Sequence, residues 1–166
     1  MRGNYNNNSG NQANKEFEEK VVEIKRISKK TKGGNSIRFS ALVVLGNKKG
    51  KVGVGLSKAP SVTNAIKKSI ESAKRKMIEI PLRGTTIPYS IHEKFSASRI
   101  LLKPAPPGSG IIAGGAIRVI LEAAGVRDAV GKSLGSKNKA SNVYATLKAL
   151  TTLKSIVGSK RSKKDK

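Results

Sequence analysis

Ile37-Arg38-Phe39-Ser40-Ala41-Leu42-Val43-Val44-Leu45-Gly46, followed after Asn47-Lys48-Lys49 by Gly50-Lys51-Val52-Gly53-Val54-Gly55-Leu56, is the stretch on which the fold turns. In the first run Ile37, Phe39, Ala41, Val43 and Leu45 recur at a period of two, with Arg38 and Ser40 opposite, as a strand with one buried face requires. In the second, Val52, Val54 and Leu56 alternate with Gly53 and Gly55. One face of that strand therefore carries no side chains and admits a helix or another backbone at close range.

Before this pair, Val21, Val22, Ile24 and Ile27 interleave with Glu23, Lys25 and Arg26, a β-rich run whose imperfect alternation suits a bulge. It ends at Lys29-Lys30-Thr31-Lys32-Gly33-Gly34-Asn35, read as a hairpin loop. After the pair, Pro60 suits a first helical turn, and Val62, Ile66, Ser69, Ile70, Ala73 and Met77 fall at helical spacing. Residues 16–80 are thus expected to form a β-β-β-α unit. Residues 1–15, rich in Asn, Gly and Ser, lack the apolar content to offset the entropy of ordering, and a disordered tail is expected there.

A second unit is expected over residues 81–157. Two β-like segments at residues 86–93 and 98–103 lead through a Pro- and Gly-rich stretch to a helix over residues 115–124, with Ile117, Ile120, Leu121 and Ala124 as its apolar stripe and Gly125 as its C-cap. Residues 126–134 read as a strand, and Ser141 or Asn142 can cap a last helix running to about Ile156. The order is β-β-α-β-α, a two-layer arrangement, and the chain as a whole is α+β. Residues 158–166 read as a basic disordered tail.

The 166 residues carry 34 Lys and Arg against 10 Asp and Glu, a formal net charge of +24. Solubility needs far less, and the excess opposes compaction by self-repulsion, so a polyanionic partner is implied, nucleic acid foremost. Much of the charge sits on segments with apolar periodicity, including the Lys67, Lys68, Lys74, Arg75 and Lys76 face of the first helix, where it is displayed in fixed geometry. Three Phe, three Tyr and no Trp leave few rings for base stacking.

Cysteine is absent and His92 is the only histidine, while carboxylates stand singly. Neither a nucleophile-base pair nor a zinc site assembles from such residues, so no catalysis, metal or cofactor is expected. The apolar runs are too short to span a bilayer, and the first eight residues lack the apolar core of a signal peptide. A cytoplasmic protein without a membrane partner is expected.

Two Gly-rich segments invite anion chemistry. In Lys29-Lys30-Thr31-Lys32-Gly33-Gly34 the cations flank residues free to take unusual backbone angles, which suits close approach to phosphate oxygens. Gly108-Ser109-Gly110-Ile111-Ile112-Ala113-Gly114-Gly115 precedes a helix, as phosphate cradles do, but lacks the P-loop ending and the dinucleotide spacing. A close-packing or interface loop fits it better than a phosphotransferase site, for which only Glu122 and Asp128 would offer nearby acids.

The runs Arg26-Ile27-Ser28-Lys29-Lys30-Thr31-Lys32-Gly33-Gly34, Phe39-Ser40-Ala41-Leu42-Val43-Val44-Leu45-Gly46 and Gly50-Lys51-Val52-Gly53-Val54-Gly55 resemble the bacterial small-subunit ribosomal protein five family. So do Gly108-Ser109-Gly110-Ile111-Ile112-Ala113-Gly114-Gly115-Ala116-Ile117-Arg118 and Leu121-Glu122-Ala123-Ala124-Gly125-Val126. The resemblance implies an N-terminal domain like a double-stranded-RNA-binding domain, and a non-catalytic role in binding small-subunit rRNA and neighbouring proteins. Arg26, Ser28, Lys29, Lys32, Gly33, Gly34, Asn35, Arg38, Lys51, Lys58, Lys67 and Lys68 are the candidate RNA contacts, although Asn35 stands where the family usually carries a basic residue.

Gly110, Gly114, Gly115 and Arg118 are the candidate protein interface, facing ribosomal protein four. The resemblance further implies ribosomal protein eight as a neighbour, a place beside the mRNA where it enters the subunit, an effect on decoding accuracy, and no small-molecule substrate. A free nucleic-acid chaperone, not bound to ribosomes, is the alternative.

Overall fold

The computed structural model describes residues 17–162. Strands β1 (Glu18–Thr31), β2 (Gly34–Gly46) and β3 (Lys51–Ala59) form an antiparallel meander, closed by a short β4 (Ile78–Glu79) beside β3. Helix α1 (Val62–Arg75) lies between β3 and β4 in the chain. The second sheet has the order β5-β6-β8-β7, from β5 (Ile91–Phe95), β6 (Ser98–Pro104), β7 (Ile111–Ala113) and β8 (Ala129–Gly135). Helices α2 (Gly115–Ala124) and α3 (Lys139–Ser162) complete it, with β7 parallel to β8 and the other pairs antiparallel.

The α+β class and the first three strands and helix follow the sequence reading, except that Ser61 caps α1 and Pro60 precedes it instead of entering its first turn, and the irregular alternation of β1 is a register shift between Val21 and Glu23. Several details differ, first the short strands β4 and β7, which the expected β-β-β-α and β-β-α-β-α orders lack; β7 lies within the segment read as a Gly-rich loop because it pairs parallel to β8. The segment read as a hairpin loop is mostly strand, because Lys29 pairs with Ser36 and Lys30 with Asn35, leaving Lys32-Gly33 as the turn. Thr86 makes only isolated bridges to Arg83 and Asp128, so the expected strand over residues 86–93 begins at Ile91. Strand β8 begins at Ala129 because Arg127 and Asp128 donate their N–H groups to the Thr85 carbonyl.

The expected tail over residues 1–15 lies outside the described residues, as do residues 163–166. Helix α3 begins at Lys139, and Asn138 accepts from the Ala140 N–H at 3.2 Å in place of the expected caps. It continues to Ser162, through part of the segment read as a tail. Asn142 is buried within it, accepting from Ser98 Oγ at 2.7 Å and Ser133 Oγ at 3.0 Å, and so stitches α3 to β6 and β8.

Strand β2 is buried on both faces from Ser40 to Gly46. On one face Ala41, Val43 and Leu45, with the bare Gly53 and Gly55, meet α1. The helix presents its smallest residues there, Ala65, Ser69 and Ala73 being buried, while Ile66 and Ile70, with Met77 just past the helix, flank them half-buried. On the other face Leu42, Val44, Val52 and Val54 join Ile120, Leu121, Ala123 and Ala124 of α2 in a core that continues into the second sheet.

The Asn47–Gly50 turn seals this seam. Lys48 and Gly50 donate their N–H groups to the Ala123 and Ala124 carbonyls at 3.0 and 2.8 Å, supplying partners to the open end of α2. Gly125, left-handed at φ 90°, ends the helix against the Lys48 backbone.

Candidate nucleic-acid interface

The β1–β2 hairpin outruns the core: no residue over the span 24–38 is buried. Its pairing decides which side chains share a face. Ile27 lies opposite Arg38, Lys29 opposite Ser36, and Thr31 opposite Gly34, while Lys58 of β3 pairs with Ser40. These positions line one concavity of about 340 Å³, with Ile27, Lys29, Thr31, Ser36, Arg38 and Lys58 around it. No carboxylate among the described residues pairs with Lys29, Arg38 or Lys58. Three free cations and two hydroxyls around an aliphatic floor suit a phosphodiester chain, since the donors reach oxygens and Ile27 meets sugar carbon.

The remaining candidates are dispersed. Arg26, Ser28 and Asn35 pair with Phe39, Ile37 and Lys30 on the opposite, α1-facing side of the hairpin. Lys32 and Gly33 form the tip, where Thr31 Oγ1 donates to the Gly34 carbonyl at 2.9 Å and Gly34 takes φ 129°. Lys67 and Lys68 are exposed on α1. Lys51 is at the far end of the sheet, paired with Glu79 and bordering a concavity with Met77, Ile78, Thr151 and Lys154. The structure therefore brings Lys29, Arg38 and Lys58 together and leaves the others on separate surfaces. Sequence reading missed Ile27, Thr31 and Ser36 as lining residues, although the strand period was the signal for them.

Gly110 and Arg118 border a second concavity, of about 510 Å³, with Lys20, Lys48, Glu122 and Arg127. Gly114 and Gly115 border a neighbouring one of about 390 Å³ with Val21, Ser133, Lys137 and Lys139. A side-chain carbon added at Gly110, Gly114 or Gly115 would meet nothing within 4 Å, so close packing inside this chain does not account for these glycines. Gly110 has a conformational reason, φ 70°, and Gly114 at φ −62° has none.

The two acids near this segment are engaged internally. Glu122 accepts from Lys20 Nζ at 2.7 Å and from Arg118 Nε at 2.9 Å, which holds its carboxyl below the usual range. Asp128 is buried, and hydrogen bonds from Thr85 and from the Gly110 and Gly108 N–H groups hold its carboxyl low. Lys48 Nζ reaches Glu18 at 2.8 Å and lowers that carboxyl likewise.

Two family models cover most of the described chain: ribosomal protein S5, N-terminal domain, over residues 17–81, and ribosomal protein S5, C-terminal domain, over residues 93–162. The chain belongs to the ribosomal protein S5 family. Small ribosomal subunit protein uS5 from Campylobacter jejuni strains 81-176, 81116 and RM1221 is 52% identical to it over 139 residues, spanning 84% of this chain and 95% of each relative. As an S5 protein the chain is a structural component of the small ribosomal subunit and not an enzyme. No helix among the described residues is long and apolar enough to cross a membrane.

Proposed function

We propose that this S5 protein holds small-subunit rRNA through the outer β1–β2 hairpin while its second unit contacts neighbouring ribosomal proteins, within the cytoplasmic small subunit. The observation that carries the reading is the cradle of Lys29, Arg38 and Lys58, which lies clear of the core and has no carboxylate partner among the described residues. Cations held in fixed geometry without internal partners favour phosphate, and counterion release supplies the binding free energy. Arg26, Lys32, Lys67 and Lys68 contact RNA from other sides, so the hairpin inserts between rRNA segments. Gly33 and Gly34 let the backbone of its tip approach closely.

The glycines at 110, 114 and 115 have open space where a partner's backbone can approach, which supports a protein interface there with Arg118. Ribosomal protein four fits that surface, with protein eight nearby and mRNA beside the basic face. Through these contacts the protein supports assembly and decoding accuracy.

The test is a salt titration of rRNA binding by the full chain. Lys29→Ala and Lys58→Ala should each weaken binding and lower the salt slope by about one unit. Unchanged affinity and slope in the double variant would show that the cradle does not bind RNA. Sedimentation away from ribosomes in gently lysed cells would instead favour a free chaperone.

A further inference from the structure

The second sheet has a covered face and an open one. Ile91, Ile100, Leu102 and Ala129 are buried on the face where α2 and α3 pack. Glu93, the only acid in these four strands, is also on that side, with Lys148 Nζ at 2.7 Å and Thr152 Oγ1 donating to it. Alternation puts Lys94, Arg99, Lys103 and Lys132 on the opposite face together with His92. All five are exposed, and among the described residues no carboxylate pairs with any of the four permanent cations. The contrast with Lys20, Lys48 and Arg118, each tied to an acid, is complete.

Register gives the open face a pattern. Lys94, Arg99 and Leu134 stand in one cross-strand row, His92, Leu101 and Lys132 in the next, and Lys103, Val130 and Ile112 in the third. Ile112 is 60% exposed, Leu134 40% and Val130 37%, and Leu101 is diagonal to the last two. A band of aliphatic carbon thus crosses the sheet with cations on both sides and within it.

The geometry points to this open face as a second RNA-backbone surface, on the opposite unit from the hairpin cradle and binding independently of it. Phosphates pair with Arg99, Lys103 and Lys132, and ribose faces cover the aliphatic band. Two observations favour RNA over an acidic protein. Lysine is depleted in the centre of protein interfaces, yet Lys132 stands between Val130 and Leu134 inside the band. The charge is also one-signed in a chain of net +24, the signature of a polyanion. With no Phe, Tyr or Trp on the face and His92 at its edge strand as the one ring, the contact is chiefly to backbone and not to a run of stacked bases.

The inference rests on the rRNA-binding reading above, and separate variants test each. Arg99→Gln, Lys103→Gln and Lys132→Gln alter only exposed groups, and a thermal midpoint that does not fall confirms folding. Titrated with deproteinised small-subunit rRNA, the triple variant should lower the salt slope by about two to three units, at 0.7 to 0.9 per phosphate. The same loss should appear in a Lys29→Ala/Lys58→Ala background. An unchanged slope, with the hairpin variants still weakening binding, would overturn this inference alone. Silent hairpin variants with active sheet variants would overturn the cradle alone. A photocrosslinking side chain at Ile112 in assembled small subunits provides the second readout: adducts to rRNA support the assignment, and adducts to protein only would reject it.

Discussion

At the scale of single residues, the close approach of α1 to its sheet depends on two bare positions. A side-chain carbon at Gly53 or Gly55 would run into the α1 backbone at Ala73 or Ser69, and backbone cannot step aside as a flexible side chain can. Ser69 fixes the helix further, donating from Oγ to the Ala41 carbonyl at 2.9 Å in a buried position. Gly55→Ala should therefore destabilise the protein by about 1–3 kcal/mol, the usual cost of overpacking, as read from denaturant midpoints. An unaltered midpoint would mean that the helix sits further out. Asp128 gives a residue-scale dependence on pH. Thr85 and the loop N–H groups lower its folded pKa below the unfolded value, so its contribution is present above that unfolded value and is lost as pH falls through the folded one. Thermal stability should fall as pH drops below about 4, and Asp128→Asn should show a shallower fall with a lower plateau at neutral pH. Parallel profiles would show that the carboxylate is not held this way.

At the scale of elements, the hairpin and the body of the same two strands should behave differently. Strand β2 is buried on both faces from Ser40 to Gly46, whereas the hairpin beyond Phe39 is a two-stranded ribbon with no buried residue, a structure of marginal stability in water. Native-state hydrogen exchange of the free protein should show amides of residues 27–38 exchanging by local opening, and those of Ala41, Val43 and Leu45 only near global unfolding. Uniform protection along β2 would contradict this. The strand period made β2 and β3 legible in the sequence, and the glycine face of β3 announced α1. The second buried face of β2 was written in Leu42 and Val44, but alternation read for one face treats the other as solvent, and the partner that covers it lies about eighty residues away at Ile120 and Leu121. The cradle was half legible for a related reason. Cations can be counted in a sequence, but Arg26 and Lys29 fall on opposite faces only once the segment read as a loop is known to be strand, and whether Lys51 joins them depends on which end of the sheet it occupies.

For the whole molecule the decisive feature is that, beyond the small core under α1, the first unit shares its interior with the second. Leu42, Val44, Val52 and Val54 of the first sheet share one core with Ile120, Leu121, Leu150 and Leu153 from the helices of the second unit. Ion pairs cross the same seam, from Lys20 to Glu122 at 2.7 Å and from Lys139 to Glu23 at 3.6 Å, but these groups are partly exposed and contribute little beside the buried carbon. The turn at Asn47 to Gly50 adds backbone hydrogen bonds to the end of α2, and these cannot form in either unit alone. Self-repulsion at +24 works against this closed arrangement, so a free chain at low ionic strength depends on the shared core to remain assembled. Unfolding should accordingly be a single transition, with probes in the first sheet and in α3 giving the same midpoint. Leu121→Ala removes fully buried carbon at the seam and should cost about 2–5 kcal/mol, lowering both probes together. Two separated transitions, or a Leu121→Ala variant that loosens only the second unit, would mean that the units fold alone and merely touch. Added salt screens the repulsion and should raise the common midpoint. A common midpoint would also fix how the molecule presents RNA contacts, because the hairpin cradle and the open face of the second sheet would then be held at a set spacing by the core between them.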